Sequence, residues 1–251
     1  MPNVEEAVFD RVHDTQFMYR QLLDALARPG RIGSIAEPGC KLALPGSGLN
    51  MAAALAITLL DGEVGFAVCG CSCAGGEAVI TELEDYIRRH TFSKTATVED
   101  ADYVFACGCL PDDDIHAVME IVHRGSLTAP ERGATLFMQV DFLAAADVDG
   151  SVGPAGEEAE GSIWPEPAVA ASEGGAGLRP AEKGADGVWL LQGPGIRGSR
   201  RLTIGGMSQV WFDERAKANA EYPMGIDMIL FTADGQLAAL PRTTLIRKER
   251  A

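Results

Sequence analysis

An α/β fold with a mixed sheet flanked by helices is predicted by three observations. Across the first half, short apolar runs alternate with segments whose apolar residues recur at helical spacing. Near the C-terminus, apolar runs follow one another across short turns, which adds an antiparallel part to the sheet. The chain has 251 residues, 47% hydrophobic and 23% charged, and so suits one soluble domain whose core needs no disulfide or metal staple.

The elements follow in order. HDTQFMYRQLLDALARPG (13–30) opens with a helix that Asp14 can cap. Arg28, Pro29 and Gly30 stop it, because proline cannot continue a helix and disfavours helical backbone before it. Met18, Leu22, Ala25 and Leu26 share one face, while Gln16, Arg20, Asp24 and Arg28 form a polar stripe at i,i+4 steps. Leu49 to Leu60 is a second, largely buried helix, Val64 to Val68 a strand, and Glu77 to His90 an amphipathic helix. DYVFA (102–106) is a short buried strand, followed by a helix over Asp112 to His123 and a strand in ATLFMQV (134–140). VWLLQ (188–192) and RLTI (201–204) are strands, and Gln209 to Ala220 a helix. DMILFT (227–232), LAAL (237–240) and TTLIRK (243–248) form a terminal hairpin or meander that turns at Ala233-Asp234-Gly235.

Residues 144–187 break this pattern. They are rich in Gly, Ala, Glu and Pro and poor in large apolar side chains, so burial cannot offset the entropy of ordering them. A long, mostly mobile insertion in a single domain is expected there, with Ile163-Trp164-Pro165 pinning its middle.

A net charge of −15 argues against a nucleic-acid partner, which needs clustered Lys and Arg. MPNVEEAVFD lacks the basic and apolar regions of a signal peptide, and Met51 to Leu60 is too short to span a bilayer. A cytoplasmic, reducing location is expected, with the six cysteines as thiols or ligands rather than disulfides.

Four pieces in order carry a family resemblance: HDTQFMYRQLLDALARPG (13–30), PERGATLFMQV (130–140), LQGPGI (191–196) and YPMGIDMILFTADGQLAALPRTT (222–244). They resemble the PhnH family of the bacterial carbon–phosphorus lyase system; residues 144–187 lie outside the likeness. The resemblance implies a reduced form of the pyridoxal-phosphate transferase fold that no longer holds its cofactor. It also implies a homodimer within a complex containing PhnG, PhnI and PhnJ. With PhnG, PhnI and PhnL, such a subunit supports transfer of a ribose triphosphate from ATP to methylphosphonate, the nucleosidase chemistry resting with PhnI. A pyridoxal enzyme needs a Schiff-base lysine and an acid facing the pyridine nitrogen. Of Lys41, Lys94, Lys183, Lys217 and Lys248, only Lys94 merits a test, and no pyridoxal phosphate is expected.

The candidate ligand-binding residues are Gly193, Gly195, Arg197, Arg200 and Arg242. LQGPGIRG has the glycines of a phosphate loop and Arg197, Arg200 and Arg201 beside it, and arginine forks grip phosphate well. Against this, Pro194 removes a backbone donor and a strand follows where an anion site would want a helix N-terminus. A strand-to-strand turn is the preferred reading; the alternative is a self-contained nucleotide- or phosphonate-binding enzyme built on the arginine cluster. Gln16 and Arg20 are candidate subunit contacts. Arg242 in LPRTT calls for an acidic partner, and Asp227 in YPMGID is the natural one, most simply as a structural pair. Cys69, Cys71 and Cys73 follow one strand and Cys107 and Cys109 another, so parallel neighbouring strands would bring both groups to one sheet edge. C-x-C in an extended strand spaces sulfurs too widely for one tetrahedral ion, so buried thiols are preferred to a metal site. His13, His90, His116 and His123 show no ligand spacing, although His116 and His123 fall on one predicted helix.

Overall fold

The structure is a computed structural model that describes residues 8–42, 44, 49–70, 77–147 and 187–249. Its helices are α1 His13–Ala27, α2 Ala36–Gly39, α3 Leu49–Leu59, α4 Glu77–Thr91, α5 Asp112–Ile121 and α6 Gln209–Ala218. The strands are β1 Gly33–Ser34, β2 Gly65–Cys69, β3 Lys94–Thr95, β4 Tyr103–Cys107, β5 Thr135–Val140 and β6 Phe142–Asp147. They continue with β7 Gly187–Gln192, β8 Arg200–Gly205, β9 Asp227–Thr232, β10 Gln236–Leu240 and β11 Leu245–Lys248. The mixed sheet expected from the sequence is present, with seven strands in the order β1-β10-β9-β5-β4-β2-β3. β3, β2, β4, β5 and β9 run parallel; at one edge β10 is antiparallel to β9, and β1 is antiparallel to β10.

Both faces of this sheet are covered, which explains why its strands are continuous apolar runs. Phe66, Phe105, Phe137, Ile229 and Phe231 point one way and pack with Met18, Leu22, Leu55 and Leu83 of α1, α3 and α4. Their chain neighbours Ala67, Val104, Leu136, Met228 and Leu230 point the other way, to Ile115 and Met119 of α5 and Trp211 of α6. Phe105 and Phe137 stack with ring centroids 4.9 Å apart, tying β4 to β5.

The second face also carries a separate four-stranded antiparallel sheet, in the order β11-β7-β8-β6. Here the structure corrects the terminal meander. β9 and β10 form the expected hairpin, but β11 leaves it and pairs with β7, Leu245 opposite Gln192. The turn Pro241–Thr244, closed by the Thr244 N–H donating to the Pro241 carbonyl at 2.8 Å, redirects the chain. VWLLQ and RLTI are the centre of this second sheet, and Trp189 stacks on Phe212 of α6 at 3.7 Å between centroids.

Other boundaries shift for local reasons. Asp10, not Asp14, accepts the free N–H groups that open α1: its Oδ1 takes those of Val12 at 2.8 Å and His13 at 3.0 Å. Asp14 lies in the first turn, takes the Asp10 N–H at 2.7 Å and pairs with Lys41 at 2.7 Å. α5 ends at Ile121, so His123 is not on the helix of His116. His116 contacts Glu214, while His123 Nδ1 lies 2.8 Å from the Arg132 carbonyl. β6 takes in residues 144–147 and β7 begins at Gly187, so both ends of the expected insertion belong to strands. The alanine-rich FLAAAD has little intrinsic preference for strand; pairing with β8 supplies it. Residues 148–186, with Ile163-Trp164-Pro165, lie outside the described residues.

Candidate functional site

The turn-rich segments of the chain, far apart in sequence, meet one another. LQGPGIRG is the loop of the β7–β8 hairpin, with the Ile196 N–H donating to the Gly193 carbonyl at 3.2 Å. Gly195, at φ +80°, lies so close to the end of α1 that a Cβ would overlap the Ala27 carbonyl oxygen and the Pro29 ring. Gly193, at φ +142°, faces the Thr243 carbonyl of the LPRTT turn. ARPG, QGPGI and LPRTT therefore form one packed corner.

Arg242 joins two further segments to it. Its Nη2 lies 2.7 Å and its Nε 3.2 Å from Asp227 Oδ2, while its backbone N–H donates to Asp227 Oδ1 at 2.6 Å. Nη1 donates to the carbonyls of Pro130 at 2.7 Å and Pro223 at 3.4 Å. The partner expected from the sequence is the one present. The fork links LPRTT to YPMGID and PERG. Gly133 of PERG must be a glycine because a Cβ would overlap the Gly225 carbonyl.

Arg215 is a residue that sequence reasoning missed. It lies on the inner face of α6 with Trp211 and Ala218, at i, i+4 and i+7, and is 3% exposed. Its Nη1 donates to the Thr244 carbonyl at 3.2 Å and its Nη2 to those of Leu240 at 3.2 Å and Pro241 at 2.5 Å. Burial pushes its guanidinium down to about 10, with Asp227 partly opposing. The helical spacing from Trp211 was the available signal.

The other arginines do not gather into one anion cradle. Arg201 makes a forked pair with Glu249, at 2.6 to 2.9 Å. Arg200 Nη1 donates to the Pro29 carbonyl at 3.2 Å, and Arg197 stands exposed on the hairpin loop. The loop leads into β8, and the helix end that it meets is the C-terminus of α1, whose dipole end is negative and disfavours an anion. Such an arrangement fixes backbone segments against each other.

A cleft opens elsewhere, at the C-terminal edge of the parallel strands. It is lined by Val68, Cys69, Ile80, Phe105, Cys107 and Phe231 among others and is mostly apolar. β2 and β4 are parallel neighbours, so Cys69 and Cys107 do emerge at one edge, as the sequence led us to expect. Cys71 and Cys73 lie outside the described residues. The spacing argument needs correction for Cys107 and Cys109: Cys109 has left the strand for a turn, and the two sulfurs are 2.7 Å apart. Burial pushes the Cys69 thiol up to about 11. Among the described residues no group of three or more His, Cys, Asp or Glu is placed to hold a metal ion. Nor is any helix among them long and apolar enough to cross a membrane.

Gln16 and Arg20 are both exposed on α1. Beside them Phe17, Tyr19, Leu23 and Leu26 are 37–49% exposed, so this helix presents an apolar outer surface interrupted by polar groups. Asp24 pairs with Arg28 along the same helix.

These features define an α/β protein whose most heavily bonded polar residues knit its own turns together. The comparison with known proteins narrows this: residues 6–164 and 177–247 match the family model "Bacterial phosphonate metabolism protein (PhnH)", and the chain belongs to that family. It is 28% identical over 237 residues to the "Putative C-P lyase subunit protein HtxG" of Stutzerimonas stutzeri, covering 94% of this chain and 87% of that protein. It is 26% identical over 253 residues to the "Alpha-D-ribose 1-methylphosphonate 5-triphosphate synthase subunit PhnH" of Rhizobium meliloti (strain 1021), covering 97% and 95%. The stretch between the two matched segments, 165–176, falls within the expected insertion.

Proposed function

We propose that this chain is a supporting subunit of a phosphonate-degrading carbon–phosphorus lyase system. It acts as a cytoplasmic homodimer with PhnG, PhnI, PhnJ and PhnL. In that assembly it contributes shape and contact area to the transfer of ribose 5-triphosphate from ATP to methylphosphonate. The name of the Rhizobium meliloti relative, which spans nearly the same length, supports the reaction. The observation that carries the supporting role is the use of the buried Arg215 and the partly buried Arg242. Arg242 donates to Asp227 and to main-chain carbonyls, and the two terminal nitrogens of Arg215 donate to main-chain carbonyls, with Arg215 Nε left without a partner among the described residues. Their charge therefore organises the scaffold rather than a substrate. The exposed apolar side of α1, with Gln16 and Arg20 upon it, supports a protein contact there.

The same reading includes a reduced transferase-type fold that works without pyridoxal phosphate. Lys94, the one lysine singled out for a Schiff base, is exposed on β3 and pairs with Gly65 at the beginning of β2. Ligands of parallel α/β sheets bind at the opposite, C-terminal ends of the strands. Co-expression with PhnG, PhnI, PhnJ and PhnL, followed by native mass measurement and an assay for adenine release from ATP with methylphosphonate, tests the proposal. Two copies of this chain are expected in a mixed complex, with adenine release only when partners are present. Turnover by the chain alone, or its absence from the complex, overturns it.

A further inference from the structure

Cys107 and Cys109 flank Gly108 where β4 ends. In a straight strand, residues two apart are separated by about 6.6 Å along the chain. Here the Leu110 N–H donates to the Cys107 carbonyl at 3.2 Å, and the turn so formed folds the two side chains together, sulfurs 2.7 Å apart. The backbone between them is held from both sides. The Gly108 N–H donates to the Gln139 carbonyl of β5 at 2.8 Å. The Gly108 carbonyl accepts the Ser208 N–H at 3.1 Å and Trp211 Nε1 at 3.2 Å. A Cβ on residue 108 would lie 2.8 Å from the Gly206 carbonyl, so the glycine permits this close approach. Both cysteines are half-buried and therefore reachable, and Cys107 also lines the cleft at the sheet edge.

We propose that Cys107 and Cys109 form a reversible dithiol–disulfide couple, a modification site set at the C-terminal edge of the parallel strands. The electron acceptor is a low-molecular-weight disulfide of the glutathione class. The thiolate of one cysteine attacks a sulfur of that disulfide, forming a mixed disulfide and releasing one small thiolate, which takes up a proton. The second cysteine, as thiolate, then attacks the protein sulfur of the mixed bond and expels the second small thiol. Two protein thiols lose two protons and two electrons in all, and one small disulfide becomes two thiols. The fold's contribution is proximity: bonds from the Gly108 main chain to Gln139 of β5, to the Ser208 N–H and to the Trp211 indole fix the backbone between the two sulfurs before any bond forms. The hydrogen bond with Cys109 and burial push the Cys107 thiol up, so exchange quickens as pH rises from neutrality.

The sequence offers a clean readout. Tryptic cleavage after Lys94 and Arg124 releases residues 95–124, which contain Cys107 and Cys109 and no other cysteine. The full chain is equilibrated with glutathione disulfide and increasing glutathione, folded and in urea, then acid-quenched, alkylated and mapped by mass spectrometry. The expected peptide is lighter by two hydrogen atoms and carries no alkyl group, and it takes two alkyl groups after reduction. In the folded chain the bridge should withstand at least about tenfold more glutathione than in urea. Cys69→Ser should retain the bridge, and Cys109→Ser should give only a glutathione adduct or a free thiol at Cys107. Two alkylated thiols at every ratio, a link from this peptide to Cys69, Cys71 or Cys73, or equal resistance in folded and unfolded chains would each overturn the proposal.

Discussion

Replacing Arg242 by alanine removes the fork that holds three turns together, and its cost follows from the contacts. Asp227 would keep only the backbone N–H of residue 242, and the Pro130 and Pro223 carbonyls would lose a donor. Breaking a buried, hydrogen-bonded ion pair by deleting one partner costs about 3–5 kcal/mol. The Arg242 and Asp227 side chains are 15% and 23% exposed, so some water reaches Asp227 and the lower end, about 3 kcal/mol, applies. At about 2–4 °C per kcal/mol for a chain of this size, the thermal midpoint should fall by about 6–12 °C. Calorimetry or circular dichroism of the purified chain measures this. Arg242→Lys should recover little, because a point charge cannot serve a carboxylate and two carbonyls in the same plane. Asp227→Asn combined with Arg242→Ala should cost less than the sum of the two single changes by about 1 kcal/mol or more. A shift below about 2 °C in Arg242→Ala, accompanied by weaker binding of ATP or methylphosphonate, would refute the structural role and make Arg242 a ligand contact.

Two further outcomes are expected. Gly195→Ala forces a side chain into a left-handed backbone and against Ala27 and Pro29, and should destabilise by about 1–3 kcal/mol in urea or thermal unfolding; an unchanged midpoint would mean the hairpin does not rest on α1. Glu214 is held below its ordinary value of 4.5, chiefly by the hydrogen bond from Lys217 and then by the charges of Lys217 and His116. A lowered carboxylate contributes stability above its unfolded value and loses it as pH falls through the lower folded value. Glu214→Gln should therefore unfold earlier than the parent near neutral pH, and the gap should close as pH falls through the lowered folded value of the carboxylate. A gap that persists in acid would assign the effect to lost packing.

The packed corner was legible only in its parts. ARPG, PERG, LQGPGI, YPMGID and LPRTT stand out because proline, glycine and lone charged residues interrupt apolar runs. That Arg242 answers Asp227 followed from the same reasoning, since a charge between two buried strands needs a counter-charge. Nothing local says that Gly195 abuts Ala27, or that Arg215 sits under the LPRTT turn. Those approaches join residues far apart in the chain, and only the two sheets closing on each other produce them.

By itself the sequence determined the kinds of the longer elements and most of their bounds, because periodicity and turn residues act over a few positions, but not β1, α2, β3 or β6. It also determined that LQGPGIRG is a turn between strands, since Pro194 withdraws a donor and no helix follows. Only the tertiary structure decided that β11 abandons its hairpin neighbour for β7, that α6 buries a guanidinium against three carbonyls, and that Cys109 swings to within 2.7 Å of Cys107. Each depends on which distant backbone groups remain to be satisfied once the sheets form, and that is a property of the assembled molecule rather than of any short window.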